Sequence, residues 1–420
     1  MLDIKFIREN IDNVRKNIEQ RGVKNANPDT VLALYEDRVQ LIQETEGLRQ
    51  ERNENSQKMK GPMSPEERGP LIERGKELKE SIATLEERLG QIQADLDREV
   101  RNIPNMTHPD VPVGGEDDAR EIESVGTPPA FDFEPQDHLE IGECLNLIDF
   151  ETAAEVTGGK FYYLKNDAAL LELALVNYAM GVIARRGYQP HLTPDLARPA
   201  ILDAIGFNPR GEESQVYNIE GHDLCLIGTA EITLGGTLAG KILQGKELPV
   251  RLGGFSHCFR TEAGTHGRES RGLYRVHQFS KVEMFAFCTP ENSEEIHNEM
   301  LEIEREIYSG LELPFRVVDI ATGDLGAPAY RKYDIEAWMP SRGAYGEVTS
   351  TSNCTDYQSR RLNIRYRDEE GKPQFVHTLN GTAVAVPRAI IAILENHQNQ
   401  DGTVTVPEVL RPFLGKDRIG

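Results

Sequence analysis

The sequence predicts an α+β fold in two parts: a helical N-terminal domain over 1–105 and a larger body over 106–420, built on a mostly antiparallel sheet with flanking helices. Three observations predict it. Two long helical patterns near the N-terminus are separated by a Pro/Gly-rich break. A Pro-, Gly- and acid-rich tract, NIPNMTHPDVPVGGEDDAR (102–120) and then GTPPAFDFEPQDH (126–138), marks the boundary. Beyond it, short apolar strands and helices lack the regular βαβ alternation of a parallel sheet.

The clearest element is the run Leu78, Ile82, Leu85, Leu89, Ile92, Leu96, whose 4,3,4,3,4 spacing is a heptad seam. A weaker seam, Leu34, Leu41, Thr45 and Leu48, lies in a helical pattern from about Asp29 to Lys60. Between them GPMSPEERGP (61–70) is expected to break the helix. Two helices and a breaker predict an antiparallel hairpin within one chain; a coiled coil between two chains is the alternative. A helix of ~30 residues is ~45 Å long, so the hairpin is expected to form an arm. Its tip, 49–79, holds eight basic and six acidic residues. That excess is small enough for an ordinary solvated surface. In the body, a helix is expected over Ala168–Arg185, strands in LPVRLGGFSHCFR and RVHQFSKVEMFAF, and an amphipathic helix in VPRAIIAILENHQ (386–398).

The formal net charge is −22, so bulk attraction to nucleic acid is excluded and any such binding must rest on local basic surface. The segment from Phe259 to Phe285 is such a place, with five basic residues against three acidic ones. The five Cys are scattered without a CxxC, which argues against a disulfide framework and a Cys-built zinc site and predicts a reducing cytoplasm. The first twenty residues mix acids and bases and lack an apolar signal core. No run approaches the ~18 apolar residues of a membrane span.

No GxxxxGK[ST], strand–GxGxxG–helix, HExxH or GxSxG is present. Five other segments carry groups suited to a small zwitterion and a nucleotide. In Arg260-Thr261-Glu262, a strand would put both charges on one face; a surface ion pair is the plain alternative. In HQFSKVEMF, Phe279 offers a stacking ring. Glu283, flanked by Val282 and Met284, needs a cationic partner, from a ligand or from the protein. Thr229 and Glu231 in GTAEI offer a hydroxyl and a carboxylate, or simply a capped helix start. In GEVTSTSNCTDYQSRR, Glu347 and Ser350 are hard oxygen donors suited to Mg²⁺, or part of a Ser/Thr-rich turn. In HTLNGTAVAVPR, Asn380 and Thr382 precede a helix bearing Arg388, a residue type that is commonly solvated there.

No segment carries a function alone, but their order does. The helical hairpin, TAE, FRTEAG…HQFSKVEMF, EVTSTSNCTDYQSRR and HTLNGTAVAVPRAIIAILENHQ together resemble the bacterial-type seryl-tRNA synthetases over essentially the whole chain. Arg260–Glu262 and the Arg388 helix resemble motifs 2 and 3 of class II synthetases. The helix at 168–185 with RGYQPHLTP resembles motif 1, its proline being Pro194. The chain has Thr382 where many relatives have Ser, which keeps the hydroxyl. It has AVAVPR where they have a small-residue GLAVGR-like run, and Pro387 suits a first helical turn.

The resemblance implies a class II antiparallel sheet with an N-terminal coiled-coil arm that binds tRNA. It implies a homodimer, and an enzyme that activates L-serine with ATP and Mg²⁺ and charges tRNA-Ser and the selenocysteine tRNA. Arg260 and Arg388 are implied to be its catalytic residues. Serine is implied to lie among Thr229, Ala230, Glu231, Arg260, Glu283, Asn380 and Thr382. ATP is implied to meet Arg260, Thr261, Glu262, Val276, Phe279, Glu347, Val348, Thr349, Ser350 and Arg388, with Mg²⁺ on Glu347 and Ser350 and no zinc. The basic loop 263–275 is implied to serve the triphosphate and the tRNA acceptor end, and the arm to embrace the long variable arm of the tRNA. Two rivals are a synthetase-like ligase charging a carrier protein, and a non-catalytic tRNA-binding paralogue.

Overall fold

Both predicted long helices form, and their apolar seams explain why. In the computed structural model, which describes residues 1–207, 215–262 and 272–420, the chain divides into two compact units, Met1–Met106 and Thr107–Gly420. The first opens with two short helices, α1 (Ile4–Glu9) and α2 (Ile11–Gln20), followed by α3 (Pro28–Lys58) and α4 (Pro65–Asn102). The seam of α4 buries Leu78, Ile82, Ile92 and Leu96, and that of α3 buries Val31, Leu41 and Thr45. Each such aliphatic side chain contributes about 1.5–3 kcal/mol on full burial, more than the intrinsic propensity of these helices supplies. At the base, Leu96, Val100 and Ile103 pack with Ile7, Val14 and Ile18.

The break between the helices is shorter than expected, because Pro70 lies inside α4. Ser64 caps the helix in a capping box with Glu67, and Pro65 takes the first helical position. The donor that Pro70 lacks would have paired with the carbonyl of Glu66, in an exposed first turn where water can satisfy it.

The second unit is built on eight strands: β1 (Arg120–Val125), β2 (Gln189–Leu192), β3 (Val250–Phe259), β4 (Gln278–Cys288), β5 (Phe315–Asp319), β6 (Arg331–Met339), β7 (Ala344–Asn353) and β8 (His377–Ala385). Their spatial order is β1-β5-β6-β7-β8-β4-β3-β2. Every neighbouring pair is antiparallel except the edge pair β2–β3, which is parallel. The flanking helices include α5 (His138–Cys144), α6 (Asp167–Arg185), α7 (Ala230–Gly236), α8 (Ser293–Gly310) and α9 (Val386–Asn396).

Strand alternation divides the two faces of β4. Val282, Met284 and Ala286 enter the main core with α6, α8 and α9. Phe285 and Phe287 enter a second cluster with Ile232 and Leu234 of α7. Helix α6 is long and apolar enough to cross a membrane, yet Leu171, Leu175, Val182 and Ile183 sit in the main core. All five cysteines are thiols, four of them buried.

Candidate active site

On the α7 side of the sheet, β4 presents Phe279, Lys281 and Glu283 in succession, and β8 presents Asn380 and Thr382. Glu283 and Thr382 are direct cross-strand partners. Lys281 Nζ lies 2.5 Å from Glu283 Oε2. The Thr382 hydroxyl donates to the same oxygen at 3.3 Å and accepts from Lys281 at 3.4 Å. All three side chains are buried. The cation that Glu283 requires is therefore Lys281, which the sequence pattern did not single out. The signal was there: Lys-Val-Glu at period two puts both charges on one face.

A second carboxylate lies beside this cluster. Thr229 caps α7, its hydroxyl accepting from the Glu231 N–H at 3.2 Å, so TAE is a capped helix start. Ala230, the first residue of that helix, is fully buried. The Glu231 carboxylate accepts from Gln358 Nε2 at 2.7 Å and from Asn380 Nδ2 at 3.0 Å. Burial first, then the charge of Glu283, pushes Glu231 up to about 7 against the opposing pull of Gln358, Lys281 and Arg260. No local pattern could have found Gln358.

The strand expected across Arg260-Thr261-Glu262 ends at Phe259, and Glu262 has a left-handed backbone with φ of 48°. Arg260 and Glu262 are thus placed by tertiary contacts and not by a shared strand face. The Arg260 N–H donates to His277 O at 3.0 Å, and its Nε donates to Gly228 O at 3.4 Å, just before TAE. Its guanidinium lies 5.3 Å from the centre of the Phe279 ring. Glu262 faces Arg275 at 3.6 Å. Thr261 bonds Gln215 through its N–H and its hydroxyl. The stretch 263–271 of the basic loop, with Arg268 and Arg271, lies outside the described residues.

Glu347 and Ser350 are three apart and would face opposite ways on a regular strand. The register of β6 and β7 shifts between Ile335↔Thr349 and Glu336↔Glu347, which leaves Val348 as an extra residue. This bulge brings Glu347 and Ser350 to one face and buries Val348 and Thr349. The Thr349 hydroxyl is committed to the Thr382 carbonyl. From the first turn of α9, Arg388 Nη1 lies 3.1 Å from Glu347 Oε2 and 2.9 Å from Glu347 O. Its guanidinium stacks 4.5 Å from the Tyr274 ring centre, and the Tyr274 hydroxyl donates to the same carbonyl at 3.3 Å. Burial raises the Glu347 carboxyl, but Arg388 and Lys332 outweigh it and hold it below its ordinary value.

Arg260, Glu262, Arg275, Val276, Phe279, Lys281, Glu347, Val348, Thr349, Ser350, Thr382 and Arg388 line one cavity of about 220 Å³, with Leu273, Tyr274, Ala385 and Pro387. Thr229, Ala230, Glu231, Thr261, Glu283 and Asn380 are not among its lining residues. Lys281 and Thr382, both bonded to Glu283, form part of its wall, and Arg260, Arg275 and Arg388 add guanidinium groups. The cavity can bind a zwitterion and a polyphosphate together. Glu347 and Ser350 fit a hard divalent cation that takes its other ligands from phosphate and water. Among the described residues no group of three His, Cys, Asp or Glu forms a metal cage.

An antiparallel sheet carrying this cavity defines a class II aminoacyl-tRNA synthetase core, and the family described as tRNA synthetase class II core domain (G, H, P, S and T) matches residues 215–397. The seryl-tRNA synthetase N-terminal domain family matches residues 1–107. The serine–tRNA ligase of Treponema denticola is 56% identical, with 100% of each chain covered. That of Rubrobacter xylanophilus is 57% identical, covering 100% of this chain and 99% of the relative. A crystal structure of seryl-tRNA synthetase from Pyrococcus horikoshii complexed with ATP superposes with a TM-score of 0.92 at 40% identity, covering 100% and 99% of the two chains. The chain belongs to the seryl-tRNA synthetase family.

Proposed function

We propose that the protein is a serine–tRNA ligase that forms seryl-adenylate from L-serine and ATP and transfers the seryl group to the 3′ end of tRNA-Ser, with the selenocysteine tRNA as a second acceptor. The observation that carries this reading is the buried Lys281–Glu283–Thr382 cluster, in which Lys281 and Thr382 line the cavity and the Glu283 carboxylate is bonded to both of them. In this reading Glu283 and Thr382 read the serine hydroxyl. Glu231, held by Gln358 and Asn380, takes the ammonium group at the start of α7, behind Thr229 and Ala230. Arg260 takes the carboxylate and the α-phosphate. Adenine stacks on Phe279 beside Val276, with Glu262 accepting from its amine. The backbone of Thr261, Val348 and Thr349 completes the ATP site.

The serine carboxylate attacks the α-phosphate in line and pyrophosphate leaves. Arg260 and Arg388 stabilise the charge that develops on either side of the breaking bond. A divalent cation on Glu347 and Ser350 would supply further positive charge to the phosphates. A terminal hydroxyl of the tRNA then attacks the activated carbonyl and AMP leaves. No side-chain nucleophile is needed, so catalysis rests on positioning and electrostatics.

The basic tip of the arm supports tRNA binding. Arg49, Arg74 and Lys76 are tied to acids within the hairpin. Arg52, Lys58, Lys60, Arg68 and Lys79 are exposed, and no ion pair holds them among the described residues. Dimerisation through the motif 1 region is supported by large apolar side chains left on α6 and β2: Leu170 and Leu173 are 48% and 60% exposed, and Leu192 is 83% exposed. The same reading places the enzyme in the cytoplasm with its tRNA substrates.

Serine-dependent exchange of labelled pyrophosphate into ATP, run with each amino acid in turn, tests the reading. Alanine should be rejected by roughly 10⁴-fold, because it offers no hydroxyl to the buried Glu283–Thr382 pair and excludes the water that would otherwise bond there. Thr382→Val should abolish serine activation while ATP affinity stays near that of the parent. Unchanged serine kinetics in that variant remove Thr382 from the site.

A pH dependence follows from Glu231. Its ionised form holds the ammonium group, and its pKa is raised to about 7. Serine binding should be strongest above that value. As pH falls through it, affinity should drop towards about tenfold per unit, because each bound serine must then displace a proton. Equilibrium titration with serine at about pH 8 and about pH 6 checks this. A flat profile, or one that persists in Glu231→Gln, counts against the assignment.

A further inference from the structure

Behind the Arg388 end of the cavity lies a buried polar relay that the reaction has not used. Glu395 is seven residues after Arg388 on α9, two turns on and therefore on the same side of the helix. Its carboxylate is fully buried and accepts from the N–H of His138 at 3.2 Å, from the Ser341 N–H at 3.0 Å and from the Ser341 hydroxyl at 2.9 Å. His138 opens α5, and its Nδ1 lies 2.9 Å from Glu395 Oε1. At its other side, Nε2 lies 3.3 Å from the backbone N of Leu273. A backbone N–H can only donate, so Nε2 is the bare nitrogen and Nδ1 carries the proton to Glu395.

Leu273 belongs to the short turn Gly272–Tyr274, where the basic loop rejoins the body. Gly272 has φ of +74°, and a Cβ there would sit 2.2 Å from His138 Nε2, so only glycine lets the turn close on the imidazole. The next residue but one, Tyr274, stacks on Arg388 and donates to the Glu347 carbonyl. One helix thus holds both ends of a chain of contacts, from Glu395 through His138 and Leu273 to Tyr274 and back to Arg388.

We propose that His138 is a positioning residue for ATP: it pins the Gly272–Tyr274 turn to α9, and so sets the place of Tyr274 and, through it, of the Arg388 guanidinium. The inference rests on the proposed role of Arg388 at the ATP phosphates. It predicts an effect on ATP that serine binding does not share, because the side-chain hydrogen bonds and ion pairs of Glu231, Glu283 and Thr382 go to Thr229, Lys281, Thr349, Gln358 and Asn380 and to one another, not to the relay.

Two variants separate the halves of the imidazole. In His138→Asn the amide nitrogen replaces Nδ1 and keeps the bond to Glu395, but nothing reaches Leu273. In His138→Gln the amide oxygen replaces Nε2 and can still accept from Leu273. Equilibrium ATP binding and pyrophosphate exchange are measured on both, together with serine KM and the melting temperature. His138→Asn should weaken ATP binding and raise its KM by about tenfold, with serine KM unchanged, and His138→Gln should restore ATP binding to within about twofold. Gly272→Ala, which crowds the turn without touching Glu395, should show the same ATP-selective loss. ATP affinity unchanged in His138→Asn overturns the proposal; so do equal losses of ATP and serine binding in all three variants, which mark a purely structural group. Wild-type protein that binds ATP but shows no serine-dependent exchange refutes the proposed function, while the ratio of ATP affinities still decides the role of His138.

Discussion

Arg388→Ala should slow seryl-adenylate formation by about 10²–10³-fold, the cost of removing one preorganised charge from a developing phosphate transition state. Arg388 is half-buried in the cavity wall, paired with Glu347 and stacked on Tyr274, so its guanidinium is held before substrate arrives. Its removal also leaves the Glu347 carboxylate with Lys332 as its main remaining cationic influence. The carboxyl should then lose part of its downward shift. Transfer of serine from preformed adenylate to tRNA should fall far less, because pyrophosphate has already left. Single-turnover measurements of the two steps provide the check. Equal losses in both steps, with a lowered melting temperature, would mean that the substitution damages the fold.

Shortening the arm should separate the two half-reactions. Tyr35 and Leu96 pack at the base of the hairpin with α1 and α2, and Arg38 bonds Gln93 at 2.6 Å. Removing residues 43–88 and joining Ile42 to Leu89 through a short turn keeps these interactions. It takes away the exposed cations of the tip. Every residue proposed to touch serine or ATP lies at Thr229 or later, so serine-dependent pyrophosphate exchange should persist. Charging of tRNA-Ser should fall at least about 100-fold at ordinary salt. The salt dependence of tRNA binding should flatten by about 0.9 in log–log slope for each phosphate that the tip no longer neutralises. The net charge of −22 sharpens the expectation, since the rest of the molecule repels tRNA at long range. Retained charging by the shortened protein would refute the role of the arm and favour a structural one.

Much of the fold is legible in local pattern. The heptad spacing from Leu78 to Leu96 is set by 3.6-residue periodicity alone, and α4 follows it. The alternation in RVHQFSKVEMFAF is that of a strand, and β4 follows it. The same logic failed where a local rule had a local exception. Pro70 reads as a breaker, but the Ser64 cap places the helix start five residues earlier. Arg260-Thr261-Glu262 reads as the end of a strand, but the backbone leaves the sheet at Phe259.

Local pattern carries the two-part organisation, the long helices, the central strands and, through the order of the motifs, the candidate residues as a set. How those residues meet depends on contacts between distant segments. Glu283 finds Lys281 two residues away, but Thr382 reaches it across 99 positions and Gln358 reaches Glu231 across 127. The bulge at Val348 turns Glu347 and Ser350 to one face, and the pairing of β7 with β6 is what defines it. His138 reaches Leu273 across 135 positions and Glu395 across 257. Periodicity encodes which side of an element a residue occupies, because backbone geometry repeats along the chain. Which partner waits on that side depends on strand order, register and helix packing, and these arise only when distant segments bury their apolar faces against one another.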